Sequence, residues 1–143
     1  MPVLVDGDNL LGTWPGRSRS EAEKRLLARQ CLVLARRESR AVIVVFDGRE
    51  LSPPPPGDVR CSGTGRSADD LILEQLRQSK DPAGYTVVTN DRSLGDQARW
   101  LKARVERCDR FRLRLEAEPE SEKPTAGADF GYWWEQFGGD SEK

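Results

Sequence analysis

Ala41-Val42-Ile43-Val44-Val45-Phe46-Asp47-Gly48 is the stretch on which the fold turns. Its apolar residues, mostly β-branched, run without a polar break and stop at an acid and a glycine. A strand with one wet face alternates apolar and polar side chains. A run with no alternation reads as a strand covered on both faces, the mark of a parallel sheet between helices. Working outward, Val3-Leu4-Val5 is a second such run and stops at Asp6, and Tyr85–Thr89 reads as a third strong strand, ending at Asn90-Asp91. Ser20-Glu21-Ala22-Glu23 is a capping box opening a helix on which Leu27, Cys31 and Leu34 recur at helical spacing, with Leu26 and Val33 flanking. Ser67 is the N-cap of a second helix carrying Leu71, Ile72 and Leu76, and Ser93 to about Lys102 predicts a third. Val59–Ser62 and Ala103–Cys108 predict short strands. Residues 48–58, with Pro53 to Pro56, form a stiff surface loop. In 109–115 Phe111, Leu113 and Leu115 alternate with arginines in strand fashion, while Phe111 and Leu115 also keep helical spacing; a short helix is the reading preferred. The sum is an α/β fold with a mostly parallel sheet.

The chain has 143 residues, 36% hydrophobic and 33% charged, which suits one domain with a real core. That domain is expected over 1–115. Residues 116–143 begin with a Glu/Pro-rich linker and end in an aromatic group, Phe130, Tyr132, Trp133, Trp134 and Phe137, expected to dock on the domain or on a partner. Charge divides the same way. Residues 1–115 hold 21 Lys and Arg against 16 Asp and Glu, a balance of +5, and residues 116–143 hold 2 against 8, a balance of −6. Arginine far outnumbers lysine, which suits bidentate phosphate contacts and is equally read as codon bias with solvated helix faces. The opening residues lack a basic region and read as a strand rather than a leader. No apolar run approaches the ~20 residues of a membrane helix. Cys31, Cys61 and Cys108 show no disulfide or zinc spacing and read as small buried hydrophobes in a reducing, cytoplasmic setting.

Histidine is absent. Hydrolytic chemistry would then lean on carboxylates, which prefer hard cations such as Mg²⁺ or Mn²⁺. In parallel α/β sheets ligands bind beyond the carboxyl ends of the strands, and aspartates stand there: Asp6 and Asp8, then Asp47, then Asp69 and Asp70 on the first turn of a helix, then Asp91 with Asp96 beyond it. Helix capping explains any one of them. Ser67 and Ser93 are expected to supply the caps, which leaves Asp69, Asp91 and Asp96 without that job. Two carboxylates 4 Å apart repel by about 1 kcal/mol even in water, so a cluster needs a cation or protons. Asp70 is open to two readings, a capping-box partner of Ser67 or a ligand.

Four motifs in order, VLVDGDNLL at Val3–Leu11, VVFDGRE at Val44–Glu50, RSADDLI at Arg66–Ile72 and VVTNDRSLGDQARWL at Val87–Leu101, resemble the YacP-like NYN domains of the PIN-like nuclease superfamily. The resemblance covers about residues 3–115. It implies a sheet of order 3-2-1-4-5 and Mg²⁺- or Mn²⁺-dependent endonucleolytic cleavage of RNA, with RNA, including RNA on the ribosome, as partner. It assigns Asp6, Asp69 and Asp91 to one ion, with Asp96 or Asp47 contributing to a second or through water. Asn9 matches the polar residue of the first motif. Asp8 departs from the pattern and is either an extra ligand or solvent-exposed. Arg49, Arg66 and Arg92 adjoin these acids and are read as phosphate contacts or as surface charge. Trp14 is open as a base-stacking surface or a loop anchor, and Trp100, mid-helix, is expected in the core.

Two rivals stand beside this reading. Asp6-Gly7-Asp8 also fits the D-x-D of haloacid-dehalogenase-like phosphatases, with Asp6 as nucleophile, Asp8 as acid and Thr89 as second motif, although no downstream lysine and acid pair follows. The basic body and aromatic tail would equally serve a non-catalytic RNA or ribosome adaptor.

Overall fold

The computed structural model describes residues 1–117; the linker beyond Ala117 and the aromatic group at 130–137 lie outside them. Five parallel strands, β1 (Val3–Asp6), β2 (Val42–Phe46), β3 (Asp58–Cys61), β4 (Thr86–Val88) and β5 (Arg104–Glu106), form one sheet of order β3-β2-β1-β4-β5. Among the described residues the helices are α1 (Gly7–Thr13), α2 (Glu21–Glu38), α3 (Ala68–Gln78), α4 (Arg92–Trp100) and α5 (Cys108–Glu116), with a 3₁₀ turn at Pro82–Gly84. The expected sheet order holds. No helix among the described residues is long and apolar enough to cross a membrane.

The unbroken apolar runs are explained by what lies on each face. Val3, Val5, Val42, Val44 and Phe46 point to a core shared with α1, α2 and α5, where Leu10, Leu27, Leu34 and Phe111 meet them. Leu4, Ile43, Val45 and Val87 point the other way, onto Ile72, Leu76, Leu94 and Ala98 of α3 and α4. Each fully buried side chain of this kind contributes about 1.5–3 kcal/mol. The outer strands β3 and β5 alternate or lie half open, as edges do. β2 reaches its parallel neighbour β3 through the proline loop alone, with no helix in the crossover. The loop is held on α2 by the Arg25 guanidinium, which donates to the Pro53 carbonyl at 2.8 Å.

Several local expectations change. α1 follows β1 without a loop, and the sequence did not show it: seven residues are too few for a periodic signal, and Gly7 and Gly12 weigh against helix. Ser20 caps α2 by accepting from the Glu23 amide at 3.2 Å, but Glu23 does not return the bond, because its carboxylate pairs with Arg17 at 2.6 Å. Residues 109–115 are helical. Phe111 is buried and Leu113 is left 64% exposed, so the strand-like alternation was incidental. The Arg114 guanidinium pins α5 to Glu38 of α2 and Glu106 of β5. Trp100 is not in the core. It is 81% exposed on the outer face of α4. Cys31 and Cys108 are buried, whereas Cys61 is only half-buried.

The start of α1 lies against the end of β2. A Cβ on Gly7 would overlap the edge of the buried Phe46 ring, so only glycine lets the two meet. Gly7→Ala is therefore expected to cost about 1–3 kcal/mol of unfolding free energy through overpacking. Phe46→Leu in the same chain should recover part of that loss, with urea unfolding as the measurement. An unchanged midpoint in Gly7→Ala would contradict the packing described.

Candidate active site

Because all the strands run one way, their carboxyl ends share an edge. There the ends of β1, β2 and β4 and the starts of α1, α3 and α4 surround a cleft of about 480 Å³ lined by Asp6, Asp8, Asn9, Arg19, Lys24, Asp47, Ser67, Asp69 and Asp91. Asp6, on the central strand, is only 4% exposed. Its Oδ2 accepts from the buried Thr89 hydroxyl at 2.9 Å, and the Thr89 oxygen accepts in turn from the Asp91 amide at 3.0 Å. Asn9 Oδ1 accepts from the Asn90 amide at 2.7 Å, and Asn90 Oδ1 from the Cys108 amide at 2.8 Å. One chain of hydrogen bonds thus ties α1, the end of β4 and the start of α5 around the base of the cleft.

The acids divide by what else they touch. Asp47 Oδ1 accepts from the Ala68 amide at the start of α3 at 2.7 Å. Asp91 Oδ1 accepts from the Ser93 and Leu94 amides at 2.9 and 3.3 Å, so Asp91, not Ser93, is the N-cap of α4. The expectation that Asp91 is spared capping is thereby corrected; one of its oxygens caps while the residue still lines the cleft. Asp70 closes a full capping box with Ser67, its oxygen 3.0 Å from the Ser67 amide. Asp69, half-buried, lines the cleft. Asp8 is neither solvent-exposed nor an isolated ligand: Oδ2 accepts from the Asp47 amide at 2.6 Å and Oδ1 lies 3.6 Å from Lys24 Nζ. One oxygen of Asp8 is thus hydrogen-bonded to the backbone and the other is ion-paired with a lysine.

Burial, with the charges of Asp69 and Asp47 adding to it and the Thr89 hydrogen bond opposing it, pushes the Asp6 carboxyl up to about 7. Burial and the charges of Asp91, Asp47 and Asp70 raise Asp69 as well. Four acids from four separate chain segments, Asp6, Asp47, Asp69 and Asp91, therefore meet at one cleft. The donor set is oxygen alone, since the chain has no histidine, and it suits hard cations. Among the described residues no three His, Cys, Asp or Glu side chains form a ready-made metal cage.

Other expected site residues lie elsewhere. Asp96 is exposed, 3.5 Å from Arg99, and borders a shallow groove with Trp100 and Arg77 rather than the acid cleft, so its expected share in the centre finds no support in this arrangement. Arg66 pairs with Glu74 at 2.8 Å and lines a neighbouring groove between β3 and α3. Arg49 and Arg92 are exposed and do not line the cleft. Trp14 is half-buried under the guanidinium of Arg17, 4.3 Å from its ring centroid, with Arg112 at 5.9 Å, as a loop anchor would be. The reading from sequence missed Arg19 and Lys24, which only the fold brings to the acids. It underweighted Thr89, whose signal was its place two residues before Asp91.

No family model matches the chain, and no curated protein matches it. Solved structures do. The crystal structure of Rae1 (YacP) from Bacillus subtilis superposes with a TM-score of 0.70 at 19% identity, covering 81% of this chain and 74% of that one. That of a tryptophan-to-leucine variant of the same protein gives 0.69 at 21% identity over the same shares. The chain has a YacP-like NYN fold. The likeness carries the topology; the chemistry has to be argued from the cleft.

The raised Asp6 has a measurable consequence for the metal-free chain. Between the ordinary value, 3.8, and about 7 the folded chain keeps a proton that the unfolded chain has released. Asp6 therefore makes stability fall as pH rises through that window, by at most about 1.4 kcal/mol per pH unit. In urea unfolding with EDTA, Asp6→Asn is expected to gain on the wild type progressively from pH 4 to pH 7. A constant difference across that range would contradict the burial of Asp6.

Proposed function

We propose that the chain is a metal-dependent ribonuclease that hydrolyses phosphodiester bonds in RNA as an endonuclease, using Mg²⁺ or Mn²⁺. The observation that carries the reading is the meeting of Asp6, Asp47, Asp69 and Asp91 in one open cleft at the carboxyl edge of the sheet, with Asp6 and Asp69 held above the usual carboxylate range. The likeness in fold to Rae1 (YacP) supports the same direction. Asp6, Asp69 and Asp91 would hold the ion, one or two of them directly and the rest through water, with Asp47 beside them. When bound, such an ion supplies Lewis-acid polarisation of the phosphodiester and a water acidic enough to attack at neutral pH.

The chain's own residues do the rest. The Thr89 hydroxyl fixes the Asp6 carboxylate and the Asp91 backbone together, so two acids from different strand ends share one orientation. Asn9 holds the β4–α4 turn from the α1 side and acts by positioning. The cleft is open along the sheet edge, which admits a strand at an internal position rather than only at an end. Arg49, Arg66 and Arg92, exposed around the edge, would hold flanking phosphates. RNA, free or on the ribosome, is the proposed substrate, and the cytoplasm the proposed setting.

In a cleavage assay with the full chain, single-stranded RNA and Mn²⁺, Asp6→Asn and Asp69→Asn are expected to lose at least ~100-fold in rate, and Thr89→Val about 10–100-fold, as a group that orients a ligand. Asp96→Asn should stay within about twofold of the wild type, because it stands outside the cleft. EDTA should stop cleavage. Binding of RNA with no turnover in Mn²⁺ or Mg²⁺ would overturn the proposal and favour a non-catalytic adaptor.

A further inference from the structure

Asp8 stands apart from the other acids. It lines the cleft, yet its oxygens are taken up by the protein, and what it holds are two cations. Lys24 Nζ lies 3.6 Å from its carboxylate and 5.4 Å from the centroid of the Phe46 ring, and the lysine side chain is only 17% exposed. Arg19 donates from Nε to the Asp8 backbone carbonyl at 2.9 Å, and its guanidinium occupies the space that a side chain on Gly12 would fill. Among the described residues, Arg19 and Lys24 are the Lys and Arg side chains that line the acid cleft. A long cation on a surface is ordinarily loose and loses rotamer entropy when it is fixed. These two are fixed already, beside the acids, where a cation stabilises developing charge most.

Resting on the nuclease reading above, we propose that Arg19 and Lys24 form the phosphate-holding wall of the cleft and that Asp8 is the positioning residue that aims both. A phosphodiester carries one negative charge and gains a second as the attacking oxygen adds. The acids would hold an ion against that charge, and the two cations lining the same cleft would meet it directly. Asp8 thus acquires a job distinct from ligation. Its Oδ2 is anchored by the Asp47 amide, so the acid wall and the cationic wall share one fixed point.

The test has a binding arm and a kinetic arm. In EDTA, where no cleavage occurs, affinity for a single-stranded RNA dodecamer is measured over a range of salt. Lys24→Met and Arg19→Met should each weaken binding and flatten the dependence of log K on log salt by about 0.7 to 1, one phosphate contact apiece. Lys24→Arg should keep the wild-type slope. Gly12→Ala should keep the melting temperature but bind RNA as Arg19→Met does, because its methyl group displaces only the guanidinium. In the Mn²⁺ assay Asp8→Asn, which keeps the backbone carbonyl that holds Arg19, should lower kcat at least tenfold without raising KM, since Lys24 loses its aim while a repelling charge is gone. A wild-type salt slope in Lys24→Met overturns the phosphate-holding wall, and a wild-type kcat in Asp8→Asn overturns its positioning role. Full Mn²⁺-dependent cleavage by Asp6→Asn would instead sink the parent reading, while the salt slopes would still judge the wall.

Discussion

The hydrogen bond from the Thr89 hydroxyl to the Asp6 carboxylate closes the centre of the molecule. It joins the ends of the central strand and its neighbour β4 at the one edge where every strand terminates. Around it the structure accepts a cost: a carboxylate out of water, with two others near enough to raise it further. A buried acid of this kind is tolerated where the surrounding fold over-determines its place, and here it does. Both faces of the sheet are sealed by apolar side chains from five helices, and Gly7 lets α1 begin in contact with Phe46, so the end of β1 cannot draw back from its neighbours.

The acids around Asp6 serve structure with some of their oxygens and, in the function proposed, chemistry with the others. Asp47 and Asp91 each give one oxygen to the amides at a helix start, where a negative charge is favoured by the helix dipole, and both still border the cleft. Helix termini thereby hold the acids in place against mutual repulsion before any cation arrives. The arrangement also sets the division of labour at the cleft, with oxygen donors supplied by strand ends and helix starts, and cations supplied by the entry to α2.

Much of this was legible in the residues. Two unbroken apolar runs and the strand Tyr85–Thr89, each stopping at Asp or Asn-Asp, were enough for a parallel sheet with acids along one edge, because both features depend only on nearest neighbours in the chain. Ser67 with Asp70 was legible for the same reason. What failed depended on tertiary placement. α1 was invisible because two glycines and a length of two turns hide it, although one of those glycines is there to admit Phe46. Trp100 looked like core because size and mid-helix position do not say which face is covered. Asp96 looked like a ligand because it lies five residues after Asp91, yet helix geometry turns it outward beside Arg99. Lys24 and Arg19 carried no local signal, since what places them is the packing of α2 against the end of β2.

The central claim is that carboxylates distant in sequence share one hard cation. A crystal of the full chain soaked in Mn²⁺ and measured at the manganese absorption edge tests it directly. The account requires an anomalous peak in the cleft, bonded to Asp6 and at least one of Asp69 and Asp91. A cleft without such a peak, or manganese bound only at other acids of the surface, would contradict it.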